Sequence, residues 1–279
     1  MKALRTLFIL SILLINNGNG IEAKKQSANQ KVQMYQWEEV NDILPKYSKF
    51  TVVDLETGMK FRVQRRAGSN HADVQPLTSE DTAIMKKIYN GQWSWKRRAI
   101  LVISDEQMKI AASMHGMPHG GGALKNNFPG HFCIHFYGST THRTNFMDLS
   151  HKLMILKAAG RLELYLEQTD PYDLINAFIA GIKQQDPKIV SYISLQEQDW
   201  DTILPSIDNV RISRMEVLPH EDITDELTLS VPVEINWQLK GVGGRNFTCL
   251  IKLVRFMPNE QWKIDSVQFL KDNGIKGTK

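Results

Sequence analysis

Cysteine is scarce in this sequence, with only Cys133 and Cys249 among 279 residues. A chain so poor in thiols is not a disulfide scaffold, so its fold must rest on a buried core, with one bridge between the two left open. An excess of one charge is also missing. The 34 basic residues face 30 acidic ones, the formal net charge is +4, and the densest basic run is Lys96-Arg97-Arg98. That balance is not the electrostatic footprint of a nucleic-acid-binding protein, and no nucleic-acid partner is expected. Long apolar runs are absent too, because the one from Leu7 to Ile15 is too short to span a bilayer. The helical zinc-hydrolase signature His-Glu-x-x-His does not occur.

What is present reads as a globular chain of two domains, with 42% hydrophobic and 23% charged residues. Lys2 and Arg5 precede the Leu7–Ile15 run, and Ile21-Glu22-Ala23 follows it. This pattern predicts a secretory signal peptide over 1–23, with no lipoprotein anchor because no cysteine follows the run, and no transmembrane segment after cleavage.

An N-terminal segment over 24–47 holds a short helix, QWEEVNDILPKY, stopped by Pro45. In FTVVDLETGMKFRVQR two alternating runs flank Glu56-Thr57-Gly58, which predicts a β-hairpin. Thr78 and Asp81 at capping-box spacing open an amphipathic helix that Asn90-Gly91 stops. WSWKRRAILVISDEQMKIAASMHG reads as a strand pair turning at 105–107, with Trp93 and Trp95 as core residues and His115 at the end of the second strand. MPHGGGALKNNFPG then reads as a mobile loop.

From Asp148 the pattern turns helical, with a domain boundary expected around 160–170. Asp170-Pro171 and Asp186-Pro187 each supply an N-cap and a first-turn proline. NVRISRMEVL, LTLSVPVEINWQLKG, NFTCLIKLVRFM and QWKIDSVQFL follow as alternating strands. Helices followed by a meander predict an α+β domain with a curved antiparallel sheet, over 170–279. That order resembles the cone-shaped domain of the nuclear-transport-factor-like superfamily, which carries no chemical assignment by itself.

Chemistry concentrates in PGHFCIHFYGSTTH, residues 129–142. As a strand, it sends Phe132, Ile134 and Phe136 to one face and His131, Cys133, His135 and Tyr137 to the other. The first set belongs in a core, so the thiol and imidazoles are expected to look outward, with same-face neighbours roughly 6 to 7 Å apart. An imidazole can take the proton of a thiol, which makes a nucleophile. Cys133 can equally be an inert buried thiol. His71 in GSNHADVQ, with Asp73 two residues on, reads either as an orienting pair, as metal ligands or as a turn cap. His119 reads as loop decoration or a group closing over substrate, and His142 and His151 as surface residues.

These residues resemble the YkuD-type L,D-transpeptidases, secreted β-rich enzymes with a strand-borne Ser/Thr-His-Gly-Cys-x-Arg motif and an upstream His-Gly. Here His115-Gly116 precedes Gly130-His131-Phe132-Cys133-Ile134-His135, and FTVVDLETGMKFRV is similar to that domain's first strand pair. Gly130, Phe132 and His135 stand where the family has a hydroxyl residue, glycine and arginine. The resemblance implies a mainly β catalytic domain over 48–160, located in the bacterial cell envelope and acting on peptidoglycan stem peptides. It also implies Cys133 as nucleophile, His131 as its base, His115 and Gly116 on the substrate side, and backbone N–H groups as the oxyanion hole. His71, Asp73 and His135 would orient substrate or imidazole, with no cofactor. The alternatives are a zinc-dependent wall peptidase drawing ligands from His71, Asp73, His115, His119, His131, Cys133 and His135, and a non-catalytic wall-binding protein.

Overall fold

A short strand, Val32–Gln33 (β1), precedes Lys49–Asp54 (β2), which pairs antiparallel with Lys60–Ala67 (β3). The turn between β2 and β3 closes because the Asp54 carboxylate accepts from Thr57 N and Oγ1, and Gly58 takes the positive φ (+69°) the chain needs there. The computed structural model describes residues 31–141, 146–219 and 223–275. The expected signal peptide, His142 and His220 lie outside them.

Ala72–Pro76 (β4) pairs with β3, and Arg97–Ile103 (β5) and Lys109–His115 (β6) form the second expected strand pair. Phe132–His135 (β7) pairs with both β4 and β6, which closes six antiparallel strands into a barrel in the order β6-β5-β2-β3-β4-β7. Alternation fills the interior with Phe50, Val52, Phe61, Val63, Val74, Ile100, Val102, Ile110, Ala112, Met114, Phe132 and Ile134, all buried. Each large side chain contributes roughly 1.5–3 kcal/mol by leaving water. Trp37–Ile43 (α1) and Ser79–Ile88 (α2) add Trp37, Val40, Met85 and Ile88 to the same cluster, and α2 starts with the Thr78–Asp81 capping box.

Leu149–Ala158 (α3) packs across the outer side of β5 and β6, where the small side chains of Ala99 and Ala111 let it approach. A second buried cluster runs from those alanines through Leu153, Met154 and Leu156 into the rest of the chain. There, Leu162–Glu167 (α4), Pro171–Gln184 (α5), Pro187–Ile193 (α6) and Trp200–Ile203 (α7) precede a curled antiparallel sheet. Asp170 and Asp186 cap α5 and α6 as their Asp-Pro pairs predict. The sheet comprises Ile207–Met215 (β8), Thr228–Leu239 (β9), Gly243–Val254 (β10) and Lys263–Ile264 (β11), in the order β11-β10-β9-β8. Leu229, Val231, Val233, Ile235 and Trp237 of β9 alternate into the cluster that also buries Leu174, Ile175 and Phe178 of α5. The class is therefore mixed α+β, a closed barrel beside a curled four-stranded sheet.

One element differs from expectation. QWKIDSVQFL reads as a strand by alternation, but only Lys263–Ile264 pairs, and Ser266–Asp272 is a helix (α8). Asp265 caps it by accepting from Gln268 N, and Phe269 and Leu270 pack into the core. The cap outweighs the alternation because a helix here buries both apolar residues while satisfying its own backbone.

Candidate active site

Register sets the site's frame. Asp73 lies opposite Cys133 across β4–β7, and Ser113 opposite His135 across β6–β7. His131, Cys133 and His135 do share the face away from the barrel interior, but that face is not open. α3 and the segment 116–130 cover it, leaving Cys133 4% and His135 3% exposed. The expected outward-looking thiol is thus buried beneath a second layer.

The glycine-rich segment is tied down rather than loose. Gln75, fully buried on β4, accepts from Ala123 N and Leu124 N through Oε1 and donates from Nε2 to the Gly130 carbonyl at 2.7 Å. Buried Asn126 donates to the Pro76 carbonyl and accepts from Phe128 N. His119 and His131 exchange backbone hydrogen bonds, each 2.9 Å long, which folds the segment back along the start of β7. Gly130 takes a φ of +127° there, and a Cβ on it would collide with the His119 carbonyl. A hydroxyl residue at this position, as in the transpeptidase motif, does not fit this backbone.

The fold-back changes which imidazole serves the thiol. His119 Nε2 stands 3.3 Å from Cys133 Sγ, whereas His131 donates from Nδ1 to the Gly121 carbonyl (3.0 Å) and turns Nε2 toward Asp73 (3.8 Å). The imidazole beside the sulfur is therefore His119, and not His131, which was expected there. Nδ1 of His119 lies 3.1 Å from the Met117 carbonyl, which can only accept, so the neutral ring carries its proton on Nδ1 and presents the Nε2 lone pair to the thiol. Asp73 is the thiol's other neighbour, at 3.6 Å from Oδ1. His71 sits 3.2 Å from the same carboxylate oxygen and 2.9 Å from the Thr140 carbonyl, which favours the orienting reading of the His71–Asp73 pair over a turn cap.

Other imidazoles surround this core. His135 stacks between His71 (centroids 4.5 Å apart) and His151 (3.8 Å). His151, expected at the surface, is buried on α3 with its Nδ1 2.9 Å from Ser113 Oγ, because almost every face of α3 is covered. His115 lies beside His119, with ring centroids 5.3 Å apart. Gly116 does not face a substrate space, since a Cβ there would meet the Tyr89 ring. Trp93 and Trp95 precede β5 instead of lying on a strand. Trp93 packs edge-on against Phe128, while Trp95 is 50% exposed with its ring 4.7 Å from His115 and 5.6 Å from His119. Sequence reasoning gave His119 no role as a base for the thiol, read His151 as a surface residue and Trp95 as a core residue, and did not single out Gln75. The signal available for His119 was the bracket of glycines around it, which permits a tight return.

Burial pushes the Cys133 thiol well above its ordinary range, and the Asp73 charge adds to this. Burial lowers His119, against the opposing effect of its Met117 hydrogen bond. His115 and His151 are held well below the usual histidine value, first by burial and then by electrostatic repulsion, from Arg97 for His115 and from the adjacent His135 ring for His151. Burial alone would raise Asp73, but the hydrogen bond and charge of His71 and the charge of His131 outweigh it and lower the carboxyl. At neutral pH the resting pair is thiol and neutral imidazole, with an ionised carboxylate beside them.

Two ligand groups meet at the sulfur. The donor atoms of His71, Cys133 and His135 lie within 4.8 Å of one another, and so do those of His115, His119 and Cys133. Asp73 and His131, expected as alternative ligands, belong to neither group. Cys249 is free and buried in the second cluster, where Asn273 Nδ2 approaches its sulfur at 3.6 Å, so it forms no bridge with Cys133. No family model matches the chain, nor does any curated protein or any solved structure.

Proposed function

We propose that the chain is an exported cysteine acyltransferase of the bacterial cell envelope that acts on peptidoglycan stem peptides. The barrel half would be a divergent YkuD-type L,D-transpeptidase domain, and the second half a nuclear-transport-factor-like domain. The observation that carries the reading is His119 Nε2 at 3.3 Å from Cys133 Sγ, with the ring held in the base tautomer by Met117.

Because thiol and imidazole rest neutral, proton transfer and attack are coupled. Nε2 of His119 takes the thiol proton as Sγ bonds to the carbonyl carbon that follows the diamino acid. Backbone N–H groups beside Cys133 receive the oxyanion. The C–N bond to the terminal D-alanine then breaks, and its nitrogen leaves with the proton from His119. The thioester passes to an amine of a second stem or to water, with His119 again taking the proton. Asp73 and His71 hold the electrostatic surroundings and His115 lies on the approach, beside Trp95.

The test uses the full mature chain in a metal chelator with a stem peptide ending in diamino acid and D-alanine. Intact-mass measurement is expected to find a thioester adduct on Cys133, absent in Cys133→Ala. His119→Gln should slow turnover by about 10²–10⁴-fold, and His131→Gln far less. Turnover retained in a folded Cys133→Ala variant would overturn the reading.

A further inference from the structure

We infer that Cys133, His119 and His115 form a binding site for one soft divalent cation of the zinc class, and that occupancy silences the nucleophile. The silencing rests on the acyl-transfer reading, whereas the binding does not. In a tetrahedral zinc site with Zn–S near 2.3 Å and Zn–N near 2.0–2.1 Å, ligand atoms stand about 3.3 to 3.6 Å apart. Cys133 Sγ and His119 Nε2 already have that separation, at 3.3 Å. All three donor atoms lie within 4.8 Å of one another, so the third needs a shift of about 1 Å, within the reach of a small side-chain rotation.

Several features favour this group over the one formed by His71, Cys133 and His135. His119 is held from behind by the Met117 carbonyl, the outer-shell arrangement that orients a ligating imidazole toward a metal. His71 already faces acceptors with both nitrogens, Asp73 at 3.2 Å and Thr140 at 2.9 Å, so a metal would have to displace one of them. In the His115 group the cost is smaller, one long bond of 3.3 Å from Met117 N to His115 Nδ1. All three ligands of the His71 group are buried, while His119 is only partly buried and lies beside the half-exposed Trp95, which leaves an approach and a fourth position for solvent. The Asp73 carboxylate 3.6 Å from Sγ adds attraction for a cation. Arg97 opposes it, but its guanidinium is drawn toward Asp148 at 3.7 Å. On binding, the Cys133 S–H bond breaks, its proton passes to solvent, and the sulfur electron pair forms the bond to the metal.

The experiment titrates the chelator-stripped full chain with Zn²⁺ against a chromogenic chelator, without substrate. One equivalent is expected, lost in Cys133→Ser and weakened at least tenfold in His115→Gln and His119→Gln, with His71→Gln and His135→Gln unchanged. Co²⁺ substitution should give a thiolate-to-cobalt charge-transfer band in wild type, and Zn²⁺ should protect wild-type Cys133 from alkylation, a readout that needs no variant to fold. Absence of both the band and the protection overturns the site, as does binding that survives Cys133→Ser or depends on His71. Zinc that binds as described without slowing adduct formation overturns the silencing. If no donor peptide forms an adduct but zinc binds at Cys133, the acyl-transfer reading fails and the metal site stands.

Discussion

Replacing Asp73 with asparagine removes a charge beside Cys133 while keeping the shape of the side chain and an acceptor oxygen. The carboxylate oxygen stands 3.6 Å from Sγ, and its lowered pKa keeps it ionised at neutral pH. At an effective dielectric of about 20, two unit charges at that distance repel by about 4–5 kcal/mol, which sets a ceiling of about three pH units on its share of the thiol's elevation. The sign follows directly, because a neighbouring negative charge disfavours the thiolate and its removal must lower the thiol pKa. Burial, the larger cause, persists in the variant, so the midpoint should remain above that of an ordinary cysteine.

Reactivity gains less than ionisation does. A three-unit fall raises the thiolate fraction by about 10³ at neutral pH, but a less basic thiolate is a weaker nucleophile, with a Brønsted slope of about 0.4–0.5, so the net gain is about 30-fold. The assay is the pH dependence of iodoacetamide labelling in chelator, resolved at Cys133 by mass spectrometry. Cys249, also raised by burial, serves as the internal reference. In wild type the rate should climb through the accessible range without a plateau. A variant whose profile does not move down in pH, or that labels more slowly while its melting curve stays cooperative, refutes the electrostatic account.

Two further outcomes follow from other parts of the barrel. Gln75→Leu removes the side-chain bonds to Ala123, Leu124 and Gly130 and should cost about 1–3 kcal/mol, with faster hydrogen exchange over 119–130; unchanged exchange there would show that the cover is held by other contacts. Asp54 is fully buried and pairs with Arg98 at 2.6 Å; burial raises its pKa, but the Arg98 and Thr57 bonds outweigh this and the carboxyl is lowered overall. Its contribution is therefore present above the unfolded carboxyl value of about 3.9 and is lost as pH falls through the lower folded value. Asp54→Asn should cost about 3–5 kcal/mol in urea unfolding at pH 7, with the gap to wild type narrowing toward pH 3, and a gap that widens on acidification contradicts the pairing.

Local signals in the sequence were sufficient for much of the frame. The turn at Asp54, Thr57 and Gly58, the Thr78–Asp81 box and the two Asp-Pro helix starts each satisfy their own backbone, and each forms where the sequence places it. Asp265 and Gln268 carry the same kind of cap signal for α8, and it was the competing alternation of apolar residues that misled. Non-local closure is different in kind. Nothing near Cys133 states that Asp73 will stand opposite it or that β7 will pair on both sides. For α3 the composition was itself the clue, since a helix with Leu153, Met154, Ile155 and Leu156 in succession has no apolar stripe and must be covered nearly all round, His151 included.

That cover also decides the chemistry. A period of two establishes which side chains share a strand face, but it says nothing about what lies over the face. On an open face, His131 and His135 are the nearest imidazoles in sequence and a thiolate–imidazolium pair is the natural expectation. Once residues 116–130 fold back, the two histidines exchange backbone bonds, His131 is turned toward Asp73, and His119 is delivered to the sulfur. The same layer removes water, which disfavours both members of an ion pair. A protonated thiol and a neutral imidazole at 3.3 Å are then the stable partners, and the proposed acyl transfer would require the base to assist attack at the moment it occurs. In the proposed mechanism the choice of base and the timing of the proton therefore share one physical origin, the return of a glycine-rich segment pinned by Gln75 and Asn126.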